Sequence, residues 1–167
     1  FMYETGAGIA EDKAEAVKWY QLAAKQDLLQ AQILLADLYL EQGNYENAVP
    51  LYNRALVLQR KVLGRDHPDV AATLNDLAWI YSEQGHYTDA EHLLKQSHDI
   101  RKKIHGPNHP DIALVLNSLG SLSQKQGNYA DAESFYKRSL DIIKKTVAPD
   151  HLDVATALNN LATIYQD

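Results

Sequence analysis

No cysteine occurs among the 167 residues, so neither a disulfide framework nor a thiolate zinc site can be built. No apolar run approaches the roughly 18 residues that a membrane-spanning helix needs, so no membrane is expected. Positive charge is also short. Sixteen Lys and Arg stand against 22 Asp and Glu, a net charge of -6, whereas a surface that grips phosphates carries a basic excess. Nucleic acid is therefore not an expected partner. The phosphate-cradling Walker loop, the Gly-x-Ser-x-Gly elbow and a cysteine nucleophile are all missing. Gly6-Ala7-Gly8 follows no strand and lacks a third glycine, so it reads as a turn. No catalytic residue and no cofactor is expected, and the chain does not read as an enzyme. No signal peptide is visible, and a cytoplasmic location is expected. The chain opens Phe1-Met2-Tyr3 in mid-repeat, as expected of a piece cut from a longer protein.

What the chain has is repetition. Gln-Gly-x-Tyr occurs at Gln42-Gly43-Asn44-Tyr45, Gln84-Gly85-His86-Tyr87 and Gln126-Gly127-Asn128-Tyr129, two intervals of 42 residues. Asp66-His67-Pro68-Asp69, Asn108-His109-Pro110-Asp111 and Asp150-His151-Leu152-Asp153 keep that interval. So do Leu74-Asn75-x-Leu77-Ala78, Leu116-Asn117-x-Leu119-Gly120 and Leu158-Asn159-x-Leu161-Ala162. Three strings in one register mark a structural repeat.

Each unit reads as two helices. Leu74, Leu77, Ala78 and Tyr81 fall at i, i+3, i+4 and i+7, one face of a 3.6-residue period. Gln84-Gly85 ends that helix, because glycine takes the left-handed conformation that closes helices. His86 then stands at a cap position, where Asn44 and Asn128 suit an N-cap. The second helix is expected from about Tyr87 to Ile104, with Ala90, Leu93, Leu94 and Ser97 inward. Arg101, Lys102 and Lys103 in its last turns complement the helix dipole. Gly106-Pro107 breaks the chain, and Pro110 sits in the next first turn, where its missing N–H costs nothing. Asp12 with Glu15 makes a capping box for a helix to about Gln26. The expected total is seven main helices, an all-α chain. The expected segments are 1–28, 29–65, 66–107, 108–149, and a lone first helix in 150–167.

At these residues the chain resembles the tetratricopeptide family. From about residue 28 it is similar to the 42-residue repeats of kinesin light chains, through His-Pro-Asp-x-Ala-x-x-Leu-Asn-x-Leu-Ala and Gln-Gly-x-Tyr-x-x-Ala-Glu. The first 28 residues resemble Sel-like repeats, with Gly6-Ala7-Gly8 and Lys18-Trp19-Tyr20 leading to Ala23-Ala24. The resemblance implies a right-handed superhelical solenoid of antiparallel helix hairpins, with first helices lining a concave groove that binds peptides. The function it implies is a protein- or peptide-binding scaffold. The alternative is a regulatory segment of a larger enzyme or signalling protein that contacts its own chain.

Aligning the units on the Leu-Ala pair assigns the groove. Asp37 and Glu41 come from one unit, Asn75, Asp76 and Trp79 from the next, and Asn117, Ser121, Gln124 and Lys125 from the third. Asn159 and Asn160 come from the last helix. Asparagine recurs at 75, 117 and 159, and a primary amide can both donate to and accept from a peptide backbone. These amides either hold a ligand or serve contacts between repeats and solvent. Trp79 is either an interface anchor or a packing residue, and Trp19 is expected in the core. The ten tyrosines read as packing. Asp37, Glu41 and Asp76 outweigh Lys125, so a basic or mixed apolar extended segment is the expected ligand. The seven histidines read as structural or solvated and no metal is expected: His67, His109 and His151 stack one per unit, and His92 and His98 lie on different faces. Loss of a second helix after residue 150 would leave Leu158, Leu161 and Tyr165 partly uncovered, and end-to-end self-association is expected.

Overall fold

A computed structural model describes residues 13–26, 28–146 and 152–165. The described residues form eight helices and no strand: α1 (Lys13–Ala24), α2 (Leu29–Glu41), α3 (Tyr45–Val62), α4 (Pro68–Glu83), α5 (Tyr87–His105), α6 (Pro110–Lys125), α7 (Tyr129–Thr146) and α8 (Leu152–Ile164). The expected seven is one short. In the segment 29–65 the partner of α2 is α3. Asn44 opens it, accepting the Asn47 N–H at 3.3 Å, and it runs straight through Pro50.

The recurrent strings act as punctuation. Gly43, Gly85 and Gly127 all have φ between 68° and 78°, a region that a side chain enters only with strain. Each permits the same closure: Asn44 N–H to Tyr39 O, His86 N–H to Tyr81 O and Asn128 N–H to Ser123 O, all 2.8 Å. This is the Schellman arrangement, which satisfies carbonyls that a helix end leaves open. His86 makes no side-chain cap bond. The other recurrent histidines do cap. His67 Nδ1 accepts the Asp69 N–H at 3.2 Å, and His109 Nδ1 accepts the Asp111 N–H at 3.3 Å, each with proline next in the chain. Asp12, needed for the expected capping box, and His151 lie outside the described residues.

The chain divides into two compact units, residues 1–65 and 66–167. In the first, α1 packs on α2 and α2 on α3, around Ala24, Ala31 and Leu35, with Val17, Tyr20, Ala23, Tyr39 and Leu51 beside them. Trp19 is not in this core but 56% exposed. Its position lies about 100° around the helix from Tyr20, which centres the inward stripe.

In the second unit α4 pairs with α5 and α6 with α7, while α6 also packs on α5 and α8 on α7. Ala78, Ala90, Leu94, Val115, Leu119 and Leu122 form one cluster across α4, α5 and α6. Ile112, Leu116, Leu140, Ile143 and Val154 belong to another across α6, α7 and α8, and Phe135 packs against both. Burying each such Leu or Ile contributes about 1.5–3 kcal/mol, and that burial holds the hairpins together. The same repeat position supplies a buried polar tie in both hairpins. Ser97 Oγ donates to Ala71 O at 2.7 Å, and Ser139 Oγ to Ala113 O at 3.0 Å. Tyr52 and Tyr136 are buried as expected of packing residues, but Tyr129 and Tyr165 are exposed.

Candidate functional site

Within the second unit the first helices α4, α6 and α8 lie side by side, and a cleft of about 290 Å³ opens along them. Asn75, Trp79 and Ser82 come from α4, Asn117, Ser118, Ser121 and Lys125 from α6, and Asn160 from α8. Leu94 and Tyr136 from the second helices form its floor. The spacing explains the gathering: positions 75, 79 and 82 fall on one helical face, and the 42-residue repeat sets the same face of α6 beside it.

Asn75 and Asn117 are only partly exposed, and the Oδ1 atom of each is covered and accepts no hydrogen bond. A covered, unsatisfied acceptor costs about 1–3 kcal/mol. These two amides therefore hold unused bonding capacity at the cleft. Asn159, their repeat equivalent, is exposed and does not line the cleft; Asn160 reaches it from α8 instead. The difference follows from neighbours. α4 has α6 beside it and α6 has α8, whereas no further first helix stands against α8 among the described residues.

Trp79 is 47% exposed over the cleft. At the repeat-equivalent place in the first unit, Asp37 Oδ1 accepts the Tyr52 hydroxyl at 2.5 Å. In the third, Ser121 bonds Tyr136, whose phenol burial pushes up while that hydrogen bond pulls it down. Only between them does an apolar pair occur, Trp79 with Leu94. The middle repeat thus carries two apolar residues, both lining the cleft, where its neighbours carry a hydrogen-bonded pair.

Charge is largely matched within the cleft wall. Lys125 Nζ lies 2.5 Å from Glu83 Oε1, and the two occupy the same position in successive repeats. Both side chains are about one-third exposed, so the pair adds under about 1 kcal/mol of stability. It does remove Lys125 as a lone cation for a ligand carboxylate. Gln124 turns from the cleft and makes two long contacts at 3.5 Å, donating to Thr163 Oγ1 and accepting from the Tyr136 hydroxyl. Asp76, partly buried, is not among the cleft-lining residues. Asp37 and Glu41 belong to the first unit, on α2.

One grouping escaped the sequence reading, which expected no metal. His105, His109 and Asp111 place a ligand atom each within 4.8 Å of one another. His105 and His109 are four apart, a spacing that would suit one helix face, but Gly106 at φ 84° ends α5 between them. The loop, and not a helix face, brings them to Asp111.

No helix of the described residues is long and apolar enough to cross a membrane. No curated protein matches this chain. Among solved structures, it is similar to BtubC (BKLC) from P. vanneervenii, with 24% identity and a TM-score of 0.75 over 83% of this chain and 56% of that one. The chain thus spans just over half the length of that protein. It is also similar to the nearly identical TPR-like repeats of a protein designated a kinesin light chain in Podosopora anserina, at 25% identity and a TM-score of 0.75. That likeness covers 99% of this chain and 81% of the other. A substituted form of the same repeats matches at 24% identity and a TM-score of 0.78, over 99% and 80%. The tetratricopeptide repeat profile matches residues 27–103, 87–145 and 111–167, leaving out the stretch that resembles Sel-like repeats. Repeats of this kind generally serve as non-catalytic scaffolds for protein–protein interaction, and this chain belongs to the tetratricopeptide repeat family.

Proposed function

We infer that the cleft along α4, α6 and α8 binds an extended polypeptide segment of basic or mixed apolar character. The observation that carries this reading is the pair of covered amide oxygens on Asn75 and Asn117, unpartnered beside the half-exposed indole of Trp79. An extended chain offers an N–H at regular intervals and an apolar side chain between them. Turning either amide about its last side-chain bond aims its oxygen or its N–H at such a backbone. Trp79 supplies a flat apolar contact of the kind that dominates binding energy at interfaces. The ligand's charge follows from Asp76, on α4 next to Asn75, and from the pairing of Lys125 with Glu83, which leaves no lone cation among the described cleft residues for an acidic segment.

Titration of two variants against one basic and one acidic peptide tests this. Asn117→Ala weakens both peptides by about 0.5–1.5 kcal/mol, the worth of a neutral hydrogen bond. Asp76→Lys weakens the basic peptide selectively, acts mainly on the association rate, and is screened by salt. If Asn117→Ala binds like the parent and Asp76→Lys leaves the preference unmoved, the cleft is not the working surface. The basic ends of the second helices, around Arg101 to Lys103, then become the surface to examine.

A further inference from the structure

We propose that His105, His109 and Asp111 form a site for a borderline divalent ion of the zinc type, clipping the end of α5 to the start of α6. The site lies at the turn between two repeats and is separate from the peptide cleft.

The distances carry the proposal. His105 Nε2 stands 3.4 Å from Asp111 Oδ2, and His109 Nδ1 stands 3.8 Å from the same oxygen. Ligands bonded to one tetrahedral zinc at about 2.0–2.1 Å sit roughly 3.3–3.4 Å apart, the edge of the tetrahedron. The two separations to Asp111 are thus already near that spacing, and the histidines' ligand atoms lie within 4.8 Å of each other. Each side chain is between 29% and 40% exposed, so an ion can reach them and solvent or another ligand can fill the fourth position. Two imidazoles and one carboxylate, with no thiolate, select zinc, nickel or copper over calcium and magnesium, which prefer oxygen throughout.

The repeat supplies an internal comparison. The His-Pro-Asp string recurs at 67–69, but the position equivalent to His105 is Leu63 there and Val147 in the following unit. The recurring pair is explained by helix capping, as the Asp69 and Asp111 N–H bonds demonstrate. Capping does not explain His105. This third group occurs at one junction only, and it lies against the other two.

Three existing contacts give way when the ion enters. His109 Nδ1 now accepts the Asp111 N–H, so the ion takes over that lone pair and opens the cap. Arg101, 3.6 Å from Asp111 Oδ2, loses that partner but keeps Ser97 Oγ at 3.4 Å. The imidazole rings of His105 and His109 stack 4.2 Å apart and 17° from parallel. A lone pair lies in its ring's plane, so two stacked rings cannot aim at one ion. One of the two rings therefore turns out of the stack on binding.

The test uses the tag-free 167-residue chain, titrated with Zn²⁺ by calorimetry and with Co²⁺ by visible absorption. One ion per chain is expected, with the intense visible bands of tetrahedral cobalt, a raised Tm and reversal by chelator. His105→Ala and Asp111→Asn each weaken binding by about tenfold or more, since the loss of even an outer-shell partner costs about 10–100-fold. His92→Ala, a control on an exposed histidine elsewhere on α5, leaves binding unchanged. Absence of binding overturns the proposal. Binding that His105→Ala does not weaken overturns it too, because the ion then sits on other histidines.

Discussion

A hydrogen atom in place of a methyl group at position 120 decides how closely α6 and α7 approach. A Cβ built on Gly120 would stand 2.6–2.9 Å from three atoms of the Tyr136 ring, which is itself buried and hemmed in. Glycine inside a helix normally costs about 1 kcal/mol against alanine, so its presence here is accounted for by the ring. Gly120→Leu is expected to lower stability by about 1–3 kcal/mol through overpacking, read as a lower denaturant midpoint. An unchanged midpoint would mean that the two helices part without cost. The small residue at this repeat position was legible in the sequence. Its facing ring was not, because residues 120 and 136 meet only once the hairpin has closed. Trp79 carries the same lesson, since Leu94 joins it at the cleft only once α4 and α5 have paired.

At the scale of the element, the helices and their ends follow from local chemistry. A 3.6-residue stripe and a cap need only neighbours within a few residues, so α5, expected from about Tyr87 to Ile104, was readable nearly to the residue. α1 was less so, since Trp19 lies at the edge of its stripe and turns outward. A surface triad of Lys137, Glu133 and Tyr165 bridges α7 and the turn that follows α8. Lys137 Nζ and the Tyr165 hydroxyl both donate to Glu133 Oε1 at 2.5 Å. The Lys137 bond first, and the Tyr165 bond next, hold the Glu133 carboxyl below the usual carboxylate range. The same bonds to Glu133 push Lys137 and Tyr165 above their ordinary values. The sign follows. A depressed carboxyl contributes stability above its unfolded pKa and loses it as pH falls through the folded one. Lys137 and Tyr165 contribute below about pH 10 and lose their share as pH rises through their raised values. Glu133→Gln is therefore expected to melt below the parent near neutral pH, with the gap closing as acid protonates the Glu133 carboxyl. Melting curves whose separation ignores pH would remove the triad from the account.

At the scale of the whole molecule, each hairpin buries its apolar face against the next, so stability belongs to neighbours rather than to single helices. On α8 that face is incompletely covered: Leu158 is 48% and Tyr165 70% exposed. Self-association that grows with concentration is expected in sedimentation experiments. Leu158→Glu should hold the chain monomeric, and a parent chain that is already monomeric at high concentration would refute the idea.

The sequence by itself determined the helices, their glycine and proline punctuation, the 42-residue register and the family. All of these rest on interactions a few residues long, or on identity between repeats. It also named most of the cleft, because equal positions in stacked repeats project alike: Asn75, Trp79, Asn117, Ser121, Lys125 and Asn160 do converge. Only the tertiary structure decided which of these groups remain available. It bound Lys125 to Glu83, turned Gln124 toward α7 and α8, and left Asn159 out while covering its two equivalents. It alone brought His105 to Asp111 around a glycine turn. The reason is physical. Periodicity specifies which face a side chain occupies, but pairing between charges and amides depends on ångström-scale distances across helices, and those exist only after packing.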